Sequence, residues 1–398
     1  MATELDSAED SSASKIIFFF INLFLIGLCK QSSIFKLTNY GIIQKNQMEI
    51  TCLMFNHHLL FVSLLIGFIS VSFNATSLNQ AKAAEKNDYA TVIMYHRFGE
   101  SRYPSTNVTI EQFESHLEFI RQGNYTVMPL IKIIEALKSG DEINDKTVAI
   151  TIDDAYLSVY KEAWPRLQEY GYPFTIFIAT DPVDNNLKNY MDWDQIRELQ
   201  EGGVTIGSQT KSHPHMHRLS PIKIEQEIAI SNRRFLEETG QYPMLFAYPY
   251  GEYSLDVVKA VKDAGFIAAF GQNSGVLYAD DNMFELPRFA FNETYGSIDR
   301  LKLALDGKPL RVRDIIPQDM VLKNNPPSFG FTVDKSLTPI NQLRCFSGEF
   351  GQLNVEILGP RAEIRLPGVL KGPRSRINCT MPAENGRWRW FGRQFLTN

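Results

Sequence analysis

The sequence predicts an α/β fold over residues 88–308, followed by a small all-β domain over residues 309–398. Short apolar runs typical of buried strands recur in the first region at the spacing of βα units. Polar residues cluster where these runs end, which is where active residues lie in a parallel barrel. After about Lys308 the helical pattern ends. It is replaced by segments in which apolar and polar residues alternate, separated by Gly and Pro, and this change favours a sandwich.

The alternation of strands and helices in residues 88–308 predicts parallel strands with helices outside them. Six or seven such units are enough to close a barrel. Thr109 is predicted to cap the first helix, in which Phe113, Leu117 and Ile120 form an apolar stripe. The predicted strands cover residues 90–95, 147–151, 174–179, 204–208, 244–248 and 267–270. The predicted helices begin at residue 109 and cover residues 130–137, 158–170, 193–199, 221–239 and 254–264.

Residues 1–84 differ from the rest of the chain and are predicted to be a leader. Two apolar runs, residues 16–29 and 59–73, are each shorter than the ~20 residues that a membrane-spanning helix needs. The second run is typical of a signal-peptide core, within a signal peptide at about 48–84, and residues 1–47 are then an upstream extension. Two short anchoring helices are the alternative. We expect the rest of the protein to be exported, periplasmic or secreted, with membrane contact only through an uncleaved leader.

The net charge of -5 and the absence of a basic run give no electrostatic reason to expect nucleic acid as a partner. Of four cysteines, Cys29 and Cys52 lie in the leader, which leaves Cys345 and Cys379 in the predicted all-β domain. Two cysteines in one small region of an exported protein predict a disulfide, here about one sheet crossing apart. Two buried free thiols are the alternative.

Asp153 and Asp154 follow an apolar run at the end of a predicted buried strand. Neither carboxylate can be buried there without a partner. Because the chain leaves the strand at this point, both side chains can reach one crevice. A cation would let both stay ionised, one as a ligand and the other as a base. The alternative is a turn in which the carboxylates accept hydrogen bonds from backbone amides.

Three of the five histidines outside the leader lie within residues 208–217. His213 and His217 stand four apart, a spacing that places two imidazoles on one side of a helical turn. Together with Asp154 they form an open Asp/His/His set suited to zinc or another divalent ion. Such an ion polarises a carbonyl and lowers the pKa of its water, so that Asp153 could act as the base. Satisfied surface or core histidines are the alternative.

Three motifs occur in one order. Residues 151–156 (Thr-Ile-Asp-Asp-Ala-Tyr) are similar to Thr-Phe-Asp-Asp-Gly-Tyr, residues 208–219 to Ser-His-Thr-x-x-His-x-x-Leu, and residues 246–251 to Phe-Arg-x-Pro-Tyr-Gly. On these motifs the chain resembles, over roughly residues 90–305, the polysaccharide deacetylases of the NodB-homology type. These are metal-dependent carbohydrate esterases with a distorted (β/α) barrel. The pair of residues 95 and 96 (Tyr-His) resembles the branch that deacetylates exopolysaccharide N-acetylglucosamine polymers.

The resemblance implies a role for each matched residue. Asp153 is implied to be the catalytic base, with Asp154 and His213 as metal ligands. Tyr250 would supply a backbone amide to the oxyanion. His96 is implied to be the general acid that protonates the leaving amine, because no histidine follows residue 217.

The same resemblance implies that Pro249 and Gly251 shape the wall of the site around residue 250. Three positions depart from the family motifs. Gln209 stands where the family has its first ligand histidine, and an amide is a weak, uncharged ligand. Ala247 stands where the family has the arginine that orients the base, and Ala155 replaces a glycine. His217 could complete the metal site only if the loop after residue 208 is repositioned.

These observations predict hydrolytic N-deacetylation of an N-acetylated amino sugar in a cell-envelope or extracellular polysaccharide, with a divalent metal, zinc being the ion expected. Tyr156 and Trp193 are candidates to stack on sugar rings, as are other aromatic residues near strand ends. One alternative is a non-catalytic envelope protein that binds glycan, which the departures at Gln209 and Ala247 motivate. The other is a metal-independent amide hydrolase on the same fold.

Overall fold

The computed structural model describes residues 87–397. The predicted leader over residues 1–84, with its signal peptide at about 48–84, lies outside the described residues. Residues 87–397 belong to one compact unit. Within the described part of the chain, no helix combines the length and the apolar character that crossing a membrane requires.

Strands and helices alternate in the first part of the unit, as predicted. A π-helical turn, Val159–Ala163, runs directly into the helix Trp164–Glu169, where one continuous helix was predicted. The strands are β1 (Tyr89–Tyr95), β2 (Arg97–Phe98), β3 (Asn107–Val108), β4 (Thr126–Val127), β5 (Thr147–Asp153), β6 (Phe174–Ile178), β7 (Thr205–Ser208), β8 (Leu245–Ala247), β9 (Ala268–Phe270), β10 (Leu277–Tyr278) and β11 (Phe289–Ala290). The α-helices are α1 (Ile110–Gln122), α2 (Leu130–Ser139), α3 (Trp164–Glu169), α4 (Thr180–Asp184), α5 (Trp193–Glu201), α6 (Pro221–Thr239), α7 (Leu255–Asp263) and α8 (Ile298–Leu305).

The helix ends follow from capping residues. The Thr109 hydroxyl accepts from the Gln112 N–H at 3.1 Å and the Gln112 side chain accepts from the Thr109 N–H, which starts α1 with a capping box. Pro221 lies in the first turn of α6, and Gly240 ends that helix in the left-handed region at φ 72°. The predicted starts of α1 and α6 are therefore confirmed.

The first sheet has the strand order β10-β1-β5-β6-β7-β8-β9, and each pair from β1 to β9 is parallel. The two ends of this parallel series approach each other through one segment. Leu286 bridges Phe270 of β9, while Phe289 of β11 pairs with Ile93 of β1. The sheet is therefore curled into a distorted barrel, which confirms the predicted fold class. The carboxyl ends of its parallel strands meet at one edge.

The residues after 307 form a second sheet of eight strands in the described part of the chain. Its strand order is β12-β19-β18-β15-β16-β17-β14-β13. The strands are β12 (Lys308–Pro309), β13 (Val312–Ile316), β14 (Phe329–Val333), β15 (Arg344–Ser347), β16 (Gly351–Leu358), β17 (Arg361–Arg365), β18 (Arg374–Pro382) and β19 (Trp388–Leu396).

This second sheet folds over its own apolar face. Strand β16 pairs first with β15 and then with β17, so it passes from one half of the sheet to the other. Phe329 and Phe331 of β14 contact Phe395 and Phe391 of β19, with ring centroids 5.2 and 5.0 Å apart. The two halves therefore face each other across a shared core, as in a sandwich.

Cys345 and Cys379 form a disulfide and are fully buried. The predicted pairing is therefore confirmed. The two cysteines are opposite one another on the neighbouring strands β15 and β18, with a Cα–Cα distance of 4.0 Å. The expectation that they lie one sheet crossing apart is wrong, because the antiparallel register places them side by side in the same sheet.

The second sheet packs against loops of the first. The Asn273 side chain donates to Gly392 O at 3.0 Å, and Arg393 donates to the Glu285 carboxylate at 2.8 Å. Because these bonds join residues 87–308 to residues 309–397, the two sheets belong to one compact unit. The domain boundary predicted at residue 308 stays a prediction.

A cavity of about 250 Å³ lies between the two sheets, and Asp281 is among the residues that line it. Burial raises the pKa of Asp281 from 3.8 to about 8, although its Oδ2 accepts from the Tyr278 N–H at 3.0 Å. Between these two pH values the folded protein binds a proton that the unfolded chain has lost. The Asp281 contribution therefore makes stability fall as the pH rises from about 4 to about 8.

We expect Asp281→Asn to remove this loss of stability, because an amide oxygen can still accept from the Tyr278 N–H while carrying no charge. At pH 8 the variant should be more stable than wild type by roughly 1–3 kcal/mol, a value reduced for partial solvent access, and near pH 4 the two should be alike. Thermal unfolding from pH 4 to pH 8 measures this difference. Asp280→Asn, at an exposed neighbour, is the control. A wild-type and D281N pair with the same pH dependence would contradict the prediction.

Candidate active site

Asp153 is the last residue of β5, and its side chain is fully buried. The Arg288 guanidinium, also fully buried, donates from Nη1 to Oδ1 at 2.6 Å and from Nη2 to Oδ2 at 2.8 Å. Arg288 further donates to Gly271 O at 3.0 Å and to the Thr151 hydroxyl at 3.3 Å. A bidentate pair of this kind gives a buried carboxylate its hydrogen bonds and a counter-charge, and it fixes the plane of the carboxylate.

Arg288 orients the Asp153 carboxylate, whereas the family motif has an arginine for this at position 247. Ala247 is a buried residue of β8 and carries no polar group. Arg288 instead lies on the segment that joins the ends of the barrel, between Leu286 beside β9 and Phe289 beside β1. An arginine therefore pairs with Asp153, the predicted base, but it comes from a different element than the one that carries residue 247.

His96 directly follows β1, whose parallel register sets Tyr95 opposite Ile152 and so brings residue 96 beside Asp153. Its Nε2 lies 4.0 Å from Asp153 Oδ2, and its side chain is 16% exposed. This distance is longer than a hydrogen bond. The Asp153 carboxylate therefore makes no direct hydrogen bond to the His96 ring.

Asp154 turns away from Asp153 because its backbone is left-handed, with φ 68°. Its N–H donates to Phe177 O at 2.9 Å, and this bond anchors the turn to β6. Its Oδ1 lies 3.9 Å from His213 Nε2. The structure therefore brings together Asp154 and His213, the two ligands implied by the family motifs.

His213 is mostly buried, and its N–H donates to the Thr210 hydroxyl at 3.1 Å. Burial lowers the pKa of His213, while the nearby carboxylates of Asp154 and Asp153 oppose this change and His96 adds to it. A lowered pKa keeps the imidazole neutral near pH 7, which is the state that binds a metal ion.

The prediction that His217 joins Asp154 and His213 is wrong. His213 has φ 56° and Pro214 follows it, so no helical turn places residues 213 and 217 on one side. His217 instead turns toward Glu252, with Nδ1 3.3 Å from Oε2. Within residues 87–397, no three His, Cys, Asp or Glu side chains form a group that could hold a metal ion.

Gln209 follows β7 and is 1% exposed. Its backbone N–H donates to Ile178 O at 2.8 Å, but its side-chain Oε1 is buried and has no hydrogen-bond partner in the described part of the chain. An unpaired buried acceptor costs about 1–3 kcal/mol, and a cation can satisfy it. The carboxylate of Asp154, the imidazole of His213 and the unpaired amide oxygen of Gln209 all follow strands at this edge of the sheet, and these donor types fit a divalent ion.

The turn Pro249–Gly251 follows β8 and includes two left-handed residues, Tyr250 at φ 58° and Gly251 at φ 67°. A Cβ on Gly251 would lie 2.6 Å from Gln272 N, so this position requires glycine. Left-handed backbone at a non-glycine residue such as Tyr250 costs about 1–3 kcal/mol and persists only where its surroundings hold it.

The hydrogen bonds of this turn use the Gly251 N–H, which donates to Tyr248 O, and the Glu252 N–H, which donates to Pro249 O. Among the described residues, none of them uses the Tyr250 N–H. The Tyr250 ring lies edge-on to His213, with centroids 4.5 Å apart. The turn therefore leaves a backbone donor without a partner among residues 87–397, on the residue whose ring contacts His213, and a free donor is what the predicted oxyanion role of Tyr250 requires.

The prediction that Trp193 stacks on a sugar ring is wrong. This residue begins α5, is 9% exposed and packs edge-on against Phe235, and its Nε1 donates to Asp184 at 2.8 Å. Its apolar face is used in the core of the barrel. Tyr156 is equally buried, with the Arg97 guanidinium 3.4 Å from its ring centre and Tyr190 beside it. These contacts cover most of the Tyr156 ring and leave little of it for a sugar.

Sequence reasoning missed two polar residues of the site, Arg288 and Glu252. A signal for Arg288 was present, because an arginine directly precedes an apolar run, residues 289–291, near the end of the barrel series. Glu252 gave no such signal, since a glutamate after a turn is ordinary. Its side chain is nonetheless 4% exposed and pairs with His215 and His217.

Comparisons with known proteins point to the family that the sequence motifs resemble. Residues 140–269 match the family model described as polysaccharide deacetylase. A polysaccharide deacetylase of Bacillus subtilis, YxkH, is 27% identical over 204 residues, which cover 51% of this chain and 72% of the relative. The poly-β-1,6-N-acetyl-D-glucosamine N-deacetylase of Staphylococcus aureus strain MRSA252 is 23% identical over 232 residues, or 55% of this chain and 79% of the relative.

Among solved structures, the Streptococcus pyogenes deacetylase PplD in complex with acetate shares the fold, with a TM-score of 0.51 and 20% identity. The superposition covers 55% of this chain and 98% of that protein. Residues 140–269 therefore match a polysaccharide deacetylase domain, and both curated relatives carry the name of polysaccharide deacetylases. Enzymes of this kind are hydrolases acting on carbon–nitrogen bonds other than peptide bonds.

Proposed function

We propose that the protein catalyses metal-dependent hydrolytic N-deacetylation of an N-acetylated amino sugar in a cell-envelope or extracellular polysaccharide. The observation that carries the proposal is the grouping at one sheet edge of a buried Asp153–Arg288 pair, His96, and the facing side chains of Asp154 and His213. The name of the Staphylococcus aureus relative makes poly-β-1,6-N-acetylglucosamine the first substrate to test.

A divalent ion held by Asp154 and His213, with Gln209 as a third donor, would polarise the acetamide carbonyl and acidify water, and we propose zinc as this ion. Asp153 takes the proton of the attacking water, with Arg288 holding its carboxylate in one orientation. The Tyr250 N–H donates to the oxyanion of the tetrahedral intermediate. His96 then protonates the amine nitrogen as the carbon–nitrogen bond breaks, and acetate is released.

We also propose that the described part of the chain works outside the cytoplasm. The buried disulfide between Cys345 and Cys379 supports this, since such bonds persist in oxidising compartments. Contact with a membrane would then be made through the leader alone, if it stays uncleaved.

The test is elemental analysis and acetate release with the purified protein. We expect about one zinc-like ion per chain, lost in Asp154→Ala and His213→Ala, and metal-dependent acetate release from poly-β-1,6-N-acetylglucosamine oligomers. Glycan binding without acetate release, with or without a bound ion, would favour the non-catalytic envelope protein. Acetate or amide hydrolysis that survives metal removal would favour the metal-independent alternative.

His96→Ala tests the general acid. We expect kcat to fall by ~10²–10⁴-fold, because a positioned proton donor contributes a factor of that size. Stability should change by less than about 0.5 kcal/mol, since the ring is partly exposed and makes no short hydrogen bond to Asp153. Steady-state kinetics and thermal unfolding measure the two effects. Acetate release near the wild-type rate would remove His96 from the mechanism.

A further inference from the structure

We propose that the C-terminal sheet is part of the active site, with Arg374 and Gln394 acting as positioning residues for the Tyr250 turn. The inference rests on the proposed function, in which the Tyr250 N–H serves the oxyanion. It gives the second sheet a specific role, because β18 and β19 place these two side chains against the turn of residues 249–252.

The first link is Gln394, a fully buried residue of β19. Its Nε2 donates to Gly251 O at 3.2 Å, directly after Tyr250 in the chain. Its Oε1 accepts from Arg376 Nε at 3.0 Å, which fixes which end of the amide faces the turn. A buried, fully oriented amide of this kind holds a carbonyl in one position.

The second link is Glu252, whose side chain is 4% exposed. Its Oε2 lies 2.6 Å from His215 Nδ1 and 3.3 Å from His217 Nδ1, and its Oε1 lies 3.5 Å from Arg374 Nε. This carboxylate therefore joins three segments: the loop that carries His213, the Tyr250 turn and the first residue of β18.

The third link is the Tyr250 ring. His215 stacks on it with ring centroids 4.3 Å apart and an interplanar angle of 19°, and the Arg374 guanidinium lies 5.5 Å from the ring centre. His213 contacts the ring edge. The ring is therefore held by Arg374 of the second sheet and by His213 and His215, which lie in one loop of the barrel.

These links account for the backbone of the turn. Tyr250 and Gly251 are both left-handed, and a tyrosine in that region relaxes unless packing and hydrogen bonds hold it. Loss of Arg374 or Gln394 removes a contact that holds the turn, and the Tyr250 N–H then moves away from the position in which it can donate to the oxyanion. A displacement of about 1 Å in a catalytic group lowers turnover by up to roughly 10²-fold.

Hydrogen exchange of residues 246–253 and deacetylation kinetics test the proposal together. In Arg374→Ala and Gln394→Met we expect exchange of the turn amides to be ~10-fold faster. We expect kcat to fall by ~10–100-fold with KM within about twofold of wild type. Relative to Arg374→Ala, Arg374→Lys should restore part of the protection from exchange and part of kcat. Arg365→Ala is the matched control, since Arg365 is also an arginine of this sheet paired with a glutamate, Glu356, but on β17.

Exchange rates in R374A equal to those in R365A would overturn the proposal, as would faster exchange with an unchanged kcat. R374A removes only a partly exposed side chain, so it keeps the test valid if Q394M does not fold. If the wild-type protein releases no acetate, the proposed function fails by itself. The exchange data then still decide whether the second sheet holds the turn.

Discussion

Asp153→Asn is expected to lower kcat for acetate release by ~10²–10⁴-fold, because it removes the group that takes the proton from water. An asparagine has nearly the same shape and keeps one acceptor for Arg288, so the site should hold its geometry. The change leaves the Arg288 charge buried and only partly satisfied, which should also lower stability by roughly 1–3 kcal/mol.

Steady-state kinetics on the folded protein at 25 °C, with thermal unfolding measured in parallel, separate the two effects. Asp145→Asn is a suitable control, because both carboxylate oxygens of Asp145 also accept from an arginine, through Nη1 of Arg387, but Asp145 is 51% exposed. Exposed pairs contribute little to stability, and D145N should keep wild-type turnover. A D153N protein with wild-type kcat would exclude Asp153 as the base.

Arg288→Met is expected to have the largest effect on stability. It leaves the Asp153 carboxylate buried with no cation, and breaking a buried pair in this way costs about 3–5 kcal/mol. It should also lower kcat by ~10²-fold or more, because the proposed base loses its fixed orientation. Chemical or thermal unfolding gives the first quantity and acetate release gives the second.

The double variant Asp153→Asn with Arg288→Met completes the cycle. Because no buried charge is left unpaired, it should be more stable than R288M alone by roughly 1–3 kcal/mol, while remaining as inactive as D153N. If the loss of stability in the double variant equals the sum of the losses in the two single variants, the pair does not act as a unit. That outcome would contradict the role given to Arg288.

Local patterns in the sequence were sufficient for most of the barrel. The capping threonine at residue 109 and the Pro221 and Gly240 ends of α6 depend on neighbours in the chain, so their signals are readable without the fold. The same holds for Asp153, Asp154, His213 and Tyr250, which lie in motifs at the ends of strands. Parallel pairing then brings these strand ends to one edge of the sheet, and their grouping follows.

Backbone conformation explains why the prediction for His217 failed. The four-residue spacing of His213 and His217 predicts a shared face only if the chain between them is helical. A left-handed residue followed by Pro214 sends His217 to Glu252 instead. Trp193 is a comparable case, because an aromatic residue near a strand end can face either a ligand or the core. The Phe235 contact and the Asp184 hydrogen bond place it in the core.

The alternation of strands and helices, the change of pattern after residue 308 and the disulfide partners could all be predicted from local sequence. The roles proposed for Asp153, Asp154, His213 and Tyr250 likewise rest on sequence motifs. The pairing of Arg288 with Asp153, and the approach of Arg374 and Gln394 to the Tyr250 turn, depend on the tertiary structure. These partners are about 120–145 residues apart in the chain. No local pattern encodes their approach, which depends on how the barrel closes and how the second sheet packs against its edge.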